Sequence, residues 1–218
     1  MGEFMRRGGA AQYLRNICDT RPMIVVIVAL ESELARQPLP AEAQLIHCGV
    51  GKINAALAAS EAISRFRPRM VVNYGTAGAV HSGAKGLLRV GRVIQRDMDA
   101  EPLAPRGTTP FSSVPRMIES GEPGICCATG DSFVRAPDEW LKAQRADVVD
   151  MELFAIAETC RRAGVPWWAC KYVTDSADES AANDWNERVG AGEALFLTAL
   201  GERLAADTAT SWTRATRD

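Results

Sequence analysis

The stretches VVDMELFAIAETC, residues 148–160, and VPWWACKYVTDSAD, residues 165–178, decide the fold of this chain. Val148 and Val149 are a short apolar lead. Helical periodicity follows from about Met151 to Ala163, and Pro166 to Val173 is an apolar run of strand length. Strand, helix and strand in that order are the unit of an α/β protein. Acidic Asp150 and Glu152 flank Met151 where the first strand turns into its helix. The second strand ends in a polar tip, Thr174-Asp175-Ser176, with Asp178 just beyond. Strand ends that bring carboxylates to one edge of a sheet define a site rather than a core.

The same alternation extends outward from this unit. MIVVIVAL, residues 23–30, is a continuous apolar run, the pattern of a strand buried on both faces. Gln44 to His47 is a shorter strand. Gly51 to Phe66 has helical periodicity, with Ile53, Leu57 and Ile63 near one face and many alanines, and Pro68 stops it. Met70 to Asn73 reads as a strand ending in a small-residue turn, Gly75 to Gly78. Leu87 to Gln95 and Gly124 to Ala128 are further strands, and Ala191 to Ala205 is a closing helix. The expected architecture is α/β: a single domain with a mixed, mostly parallel central sheet flanked by helices. It spans residues 23–206, preceded by an N-terminal arm or expression remnant (1–22) and followed by a polar, frayed tail (207–218).

Composition narrows the function classes. With 47% hydrophobic and 24% charged residues and a formal net charge of -2, there is no electrostatic case for a nucleic-acid partner or an anionic membrane. No apolar run is long enough to span a bilayer. Residues 1–22 lack the apolar segment of a signal peptide. The six cysteines form no CxxC, and most fall in apolar segments, which suits reduced thiols in a cytoplasmic protein. His47 and His81 have no ligand-like neighbours, so no metal and no cofactor is expected.

The segments VALESEL (28–34), CGVGKINAAL (48–57), VVNYGTAGAV (71–80), ATGDSFV (128–134), VDMELFAIA (149–157) and KYVTDSAD (171–178) together resemble the nucleoside phosphorylase superfamily. They are most similar to its hydrolytic branch, the 5′-methylthioadenosine/S-adenosylhomocysteine nucleosidases, and they occur in family order. The resemblance implies hydrolysis of the N-glycosidic bond of a purine nucleoside, releasing adenine, by a homodimer. It implies that Asp175 donates a proton to purine N7 and that Glu33 activates the attacking water. It places Glu152 on the ribose hydroxyls with Met151 under the sugar. Phe133 stacks on the base and the Val134 backbone holds its edge. Thr76, Ala77 and Gly78 form the turn beside water and base. Lys171 stands where the hydrolytic branch usually has an arginine near the water. Trp185 and Val50 line the pocket for the 5′ substituent. The loop at 95–111 resembles the one that contacts the partner subunit.

Taken without the resemblance, several of these residues have plainer readings. Glu31 and Glu33 fit a solvated first-turn pair, Met151 and Phe133 fit a core, and Asp175 fits a helix N-cap. Trp167 and Trp168 are expected in the core. Among enzymes, the alternative is a phosphorylase of the same fold, which needs glycine and arginine around its anion. The acids at 31 and 33, and the lack of arginine before Gly75, favour water, with Lys52, Arg96 and Lys171 left as the cations an anion would use. A catalytically silent nucleoside-binding protein is the alternative from another class.

Overall fold

The computed structural model describes residues 24–34, 37–176 and 189–215, with the backbone alone for 175–176 and 208–215. The strands are β1 (Ile24–Val28), β2 (Ala43–His47), β3 (Met70–Ala79), β4 (Leu87–Gln95), β5 (Met117–Glu119), β6 (Ile125–Thr129), β7 (Val148–Asp150) and β8 (Trp167–Ser176). The helices are α1 (Lys52–Phe66), α2 (Glu139–Ala143), α3 (Leu153–Ala163) and α4 (Glu193–Ala215). The eight strands among the described residues form one sheet. It is mixed and mostly parallel: β1 pairs parallel with β2 and β3, β3 with β8, β4 with β6, and β6 with β7. The antiparallel pairs are β3 with β7, β4 with β5, and β4 with β8. Following β3, β8, β4, β6 and β7 back to β3 closes a ring, so these five strands curl into a small barrel.

The apolar run of β1 is buried on both faces. Val25 and Ile27 pack with alanines of α1 and with Leu153, Ile156 and Cys160 of α3. Ile24, Val26 and Val28 pack on the other side with Trp168 and with Phe196 and Leu200 of α4. Trp167 and Trp168 are buried. Tyr74 faces the α4 layer and stacks on Phe196 with ring centroids 4.3 Å apart. Burial holds the Cys160 and Cys170 thiols up at about 12, well above the thiolate range. No helix among the described residues is long and apolar enough to cross a membrane.

Three expectations are corrected. The buried face of α1 is Ala55, Ala59 and Ala62, while Ile53 is 75% and Leu57 65% exposed. Small side chains let α1 approach the sheet and α3 closely, and the larger ones turn outward. The segment Gly75 to Gly78 is not a turn but lies within β3, because β8 pairs along it. The irregularity falls instead between Ala77 and Gly78: Ala77 faces Val173, and Gly78 faces Asp175, leaving Thr174 as the extra residue of a bulge. Finally, α4 continues past Ala206 to Ala215, with Asp207 bonded to Arg69 and Arg203.

Candidate active site

A cavity of about 310 Å³ opens at the ends of β1, β3 and β7, within the range of roughly 300–1,000 Å³ common for small-molecule sites. Of the residues singled out in sequence, Glu33, Val50, Thr76, Ala77, Gly78, Phe133, Val134, Met151 and Glu152 all line it. They come from five separate stretches of chain. The wall is mostly apolar, with a few convergent polar groups. Phe133 is half exposed at its rim.

Glu33 is buried, not solvated like its neighbour Glu31. One carboxylate oxygen accepts from the Thr76 amide and the Thr76 hydroxyl, both at 2.8 Å, and the other accepts from the Leu30 amide at 3.1 Å. These contacts fasten the loop after β1 to β3 and present a fixed carboxylate to the cavity.

Glu152 sits at the N-terminus of α3 but does not cap it. It accepts from the Gly51 amide at 2.9 Å, across the cavity mouth. Burial, and then the charge of Asp150, push its pKa up to about 7 against the opposing pull of Lys171 and the Gly51 amide. The capping of α3 falls to Asp150, whose Oδ2 accepts from the Leu153 amide at 2.9 Å. Its Oδ1 accepts from the Thr129 hydroxyl at 2.5 Å, and that hydroxyl accepts from the Phe154 amide at 3.0 Å.

Lys171 lies behind the wall rather than in it. Its ammonium is 2.7 Å from Asp150, and both side chains are essentially inaccessible. Burial alone would favour the neutral amine, but the charge and hydrogen bond of Asp150, with the neighbouring Cys127 and Glu152, together outweigh it and hold the Lys171 pKa above its ordinary value. Burial likewise works against the Asp150 charge, and Lys171, Thr129 and the Leu153 amide hold that pKa below the ordinary value. Lys171 and Glu33 approach each other across Gly75: a Cβ there would stand 3.4 Å from both Glu33 Oε1 and Lys171 Nζ. Glycine there leaves room between the two charged groups.

The backbone of Asp175 is paired with Gly78, which lines the cavity; its side chain lies outside the described residues, as does Trp185. Two charged wall residues have no role in the nucleosidase assignment made from sequence: Asp150, and Arg96, a buried cation just after β4. At the rim, Lys52 Nζ bonds Asp97 at 2.6 Å. The Lys52 amide donates to Asp131 and the Asp131 amide to Asp97, each at 2.8 Å. No cluster of metal-ligating side chains occurs among the described residues.

A carboxylate-lined cavity on a mixed sheet that curls into a ring defines a class. The chain belongs to the phosphorylase superfamily, whose family model matches residues 41–206. It is similar to the 5′-methylthioadenosine/S-adenosylhomocysteine nucleosidase of Staphylococcus haemolyticus, 30% identical over 171 residues that cover 68% of this chain and 75% of that one. A protein of the same name from an Exiguobacterium species is 28% identical over 190 residues, 73% of this chain and 80% of that one. Among solved structures, the Helicobacter pylori nucleosidase of that name with butyl-thio-DADMe-Immucillin-A superposes with a TM-score of 0.71 at 22% identity, covering 83% of this chain and 97% of that one. The native futalosine hydrolase of Helicobacter pylori superposes with a TM-score of 0.72 at 23% identity, covering 83% and 97%. At these identities the solved structures establish the shared fold.

Proposed function

We propose that this chain is a purine nucleosidase that uses water to cleave the N-glycosidic bond of a 5′-substituted adenine nucleoside, of the methylthioadenosine or S-adenosylhomocysteine kind. The carrying observation is the position of Glu33. Its carboxylate already takes the Leu30 amide, the Thr76 amide and the Thr76 hydroxyl. Those are donors an inorganic phosphate would need, and a second anion beside a buried carboxylate is repelled. The other ready anion site, the N-terminus of α1, has its Gly51 and Lys52 amides taken by Glu152 and Asp131. Water meets no such obstacle. Calorimetric titration with inorganic phosphate is therefore expected to show no binding at millimolar concentrations, and saturable heat would move the chain to the phosphorylases.

The roles follow from the chemistry of the bond. Purine leaves poorly as an anion, so Asp175 protonates N7 as the bond stretches. Glu33 takes a proton from the attacking water. Glu152 accepts from the ribose hydroxyls, and its charge favours the positive charge growing on the sugar. Met151 packs under the sugar, Phe133 stacks on the base, and the Val134 backbone meets the base edge. Thr76, Ala77 and Gly78 form the floor, with Lys171 behind them neutralising Asp150. Val50 and Trp185 face the 5′ substituent.

Only the anion of Glu152 offers both carboxyl oxygens as acceptors and carries the charge that favours the sugar cation, and its pKa stands at about 7. The ratio kcat/KM is therefore expected to rise across pH 6–8 with a limb near neutrality. A flat profile there contradicts the role. For stability the sign is opposite. Between the ordinary 4.5 and about 7, the folded state keeps a proton that the unfolded chain has released, so this group's contribution falls as pH rises.

The working form is a homodimer in the cytoplasm. Exposed Ile53 and Leu57 on α1, with Leu103 and Phe111 on the 95–111 loop, support an apolar mating face. Sedimentation velocity tests this, and a monomer at micromolar concentration contradicts it.

A further inference from the structure

We propose that Arg96 is the positioning residue that holds the base-recognition loop, residues 130–134, so that affinity for the purine depends on it more than bond cleavage does. The inference rests on the nucleosidase reading for the identity of the base. The geometry beneath it is independent of that reading.

The loop has no regular secondary structure to hold it, yet it carries Phe133 and Val134 into the cavity wall. Its polar backbone is organised from outside. Arg96 Nη2 donates to the Gly130 carbonyl at 2.8 Å and also to the Ser132 carbonyl, and Nη1 donates to the Ser132 hydroxyl at 3.2 Å. The residue is only 5% exposed. Burial pulls its pKa down, and the charges of Asp97 and Asp150 only oppose that pull. Its Nε has no hydrogen-bond partner among the described residues. A buried guanidinium with one donor unused is a poor source of stability. What it supplies is geometry, a planar fork that reaches both carbonyls at once.

Two further contacts tighten the arrangement. A Cβ at Gly130 would lie 2.9 Å from Arg96 Cγ and Cζ, so loop and arginine pack directly on each other. Arg106 donates to the Arg96 carbonyl at 2.8 Å while pairing with Asp138 at 2.7 Å, which fixes the backbone from which the fork departs. The Gly130 amide also donates to the Asp150 carbonyl at 3.0 Å and the Asp131 amide to Asp97 at 2.8 Å, but at Ser132, next to the aromatic platform of Phe133, the tie to the sheet is Arg96.

The test uses the full chain and the variants Arg96→Lys, Arg96→Met and Gly130→Ala. Hydrogen exchange across residues 129–138, the inhibition constant of free adenine, and KM and kcat with methylthioadenosine are measured for each. In Arg96→Met, exchange is expected to quicken in that segment alone. Adenine inhibition and KM are expected to weaken by about ten- to a hundredfold, with kcat kept within about threefold. Arg96→Lys, a point charge without the fork, is expected to restore little, and Gly130→Ala to act in the same direction as Arg96→Met. Wild-type exchange and adenine affinity in Arg96→Met overturn the proposal, as does a fall in kcat with KM unchanged. If the wild-type protein itself neither binds adenine nor releases it, the nucleosidase reading fails, and the exchange experiment still decides whether Arg96 holds the loop.

Discussion

Replacing Glu33 with glutamine is expected to lower kcat by about 10²–10⁴-fold, the range over which a positioned general base contributes, while the protein stays folded. Glutamine keeps an amide oxygen that can accept from the Thr76 amide and hydroxyl, so the tie between the β1 loop and β3 survives. Its amide nitrogen then confronts the Leu30 amide, donor against donor, where Glu33 Oε2 now accepts. An unmade buried hydrogen bond of this kind costs about 1–3 kcal/mol. What disappears is the proton acceptor in the cavity wall. Steady-state assay of adenine release, with a thermal melt beside it, separates the two effects. A rate within threefold of wild type moves water activation to another residue.

The largest stability effect is expected at Lys171. Substitution with methionine keeps the length of the side chain and removes the ammonium 2.7 Å from Asp150. Asp150 is left as a charge with no accessible surface, still required by the Leu153 amide and the Thr129 hydroxyl. Breaking one half of a buried pair costs about 3–5 kcal/mol. At roughly 2–4 °C per kcal/mol for a chain of this size, the thermal midpoint falls by about 6–20 °C. The double variant Lys171→Met with Asp150→Asn removes the stranded charge and is expected to recover part of the loss. If the double variant is as unstable as the sum of the two single ones, the pair is not coupled.

What the sequence made legible follows physical lines. The residues of β1 read as a strand because burial on both faces leaves nothing but apolar side chains. Leu87 to Gln95 likewise forms a strand over those residues. Glu33, Thr76, Phe133 and Glu152 converge on one cavity although only short motifs marked them. Other features depend on neighbours no local pattern reveals. The buried face of α1 is made of alanines, whose small apolar signal is outweighed by Ile53 and Leu57. Gly75 to Gly78 has turn composition but extends because β8 supplies the partner strand. At three and five residues, β5 and α2 are too short for any periodicity. Nothing local to Arg96 marks it as buried, because the carbonyl its guanidinium binds lies 34 residues away.

In the proposed reaction water, not phosphate, takes the sugar. Methylthioadenosine is incubated with the wild-type protein in phosphate-free buffer and again with added phosphate, and both adenine and the sugar product are identified. The Glu33 arrangement predicts the same rate of adenine release in both buffers and a free reducing sugar in each. Release only when phosphate is present, with a sugar 1-phosphate as product, would contradict it.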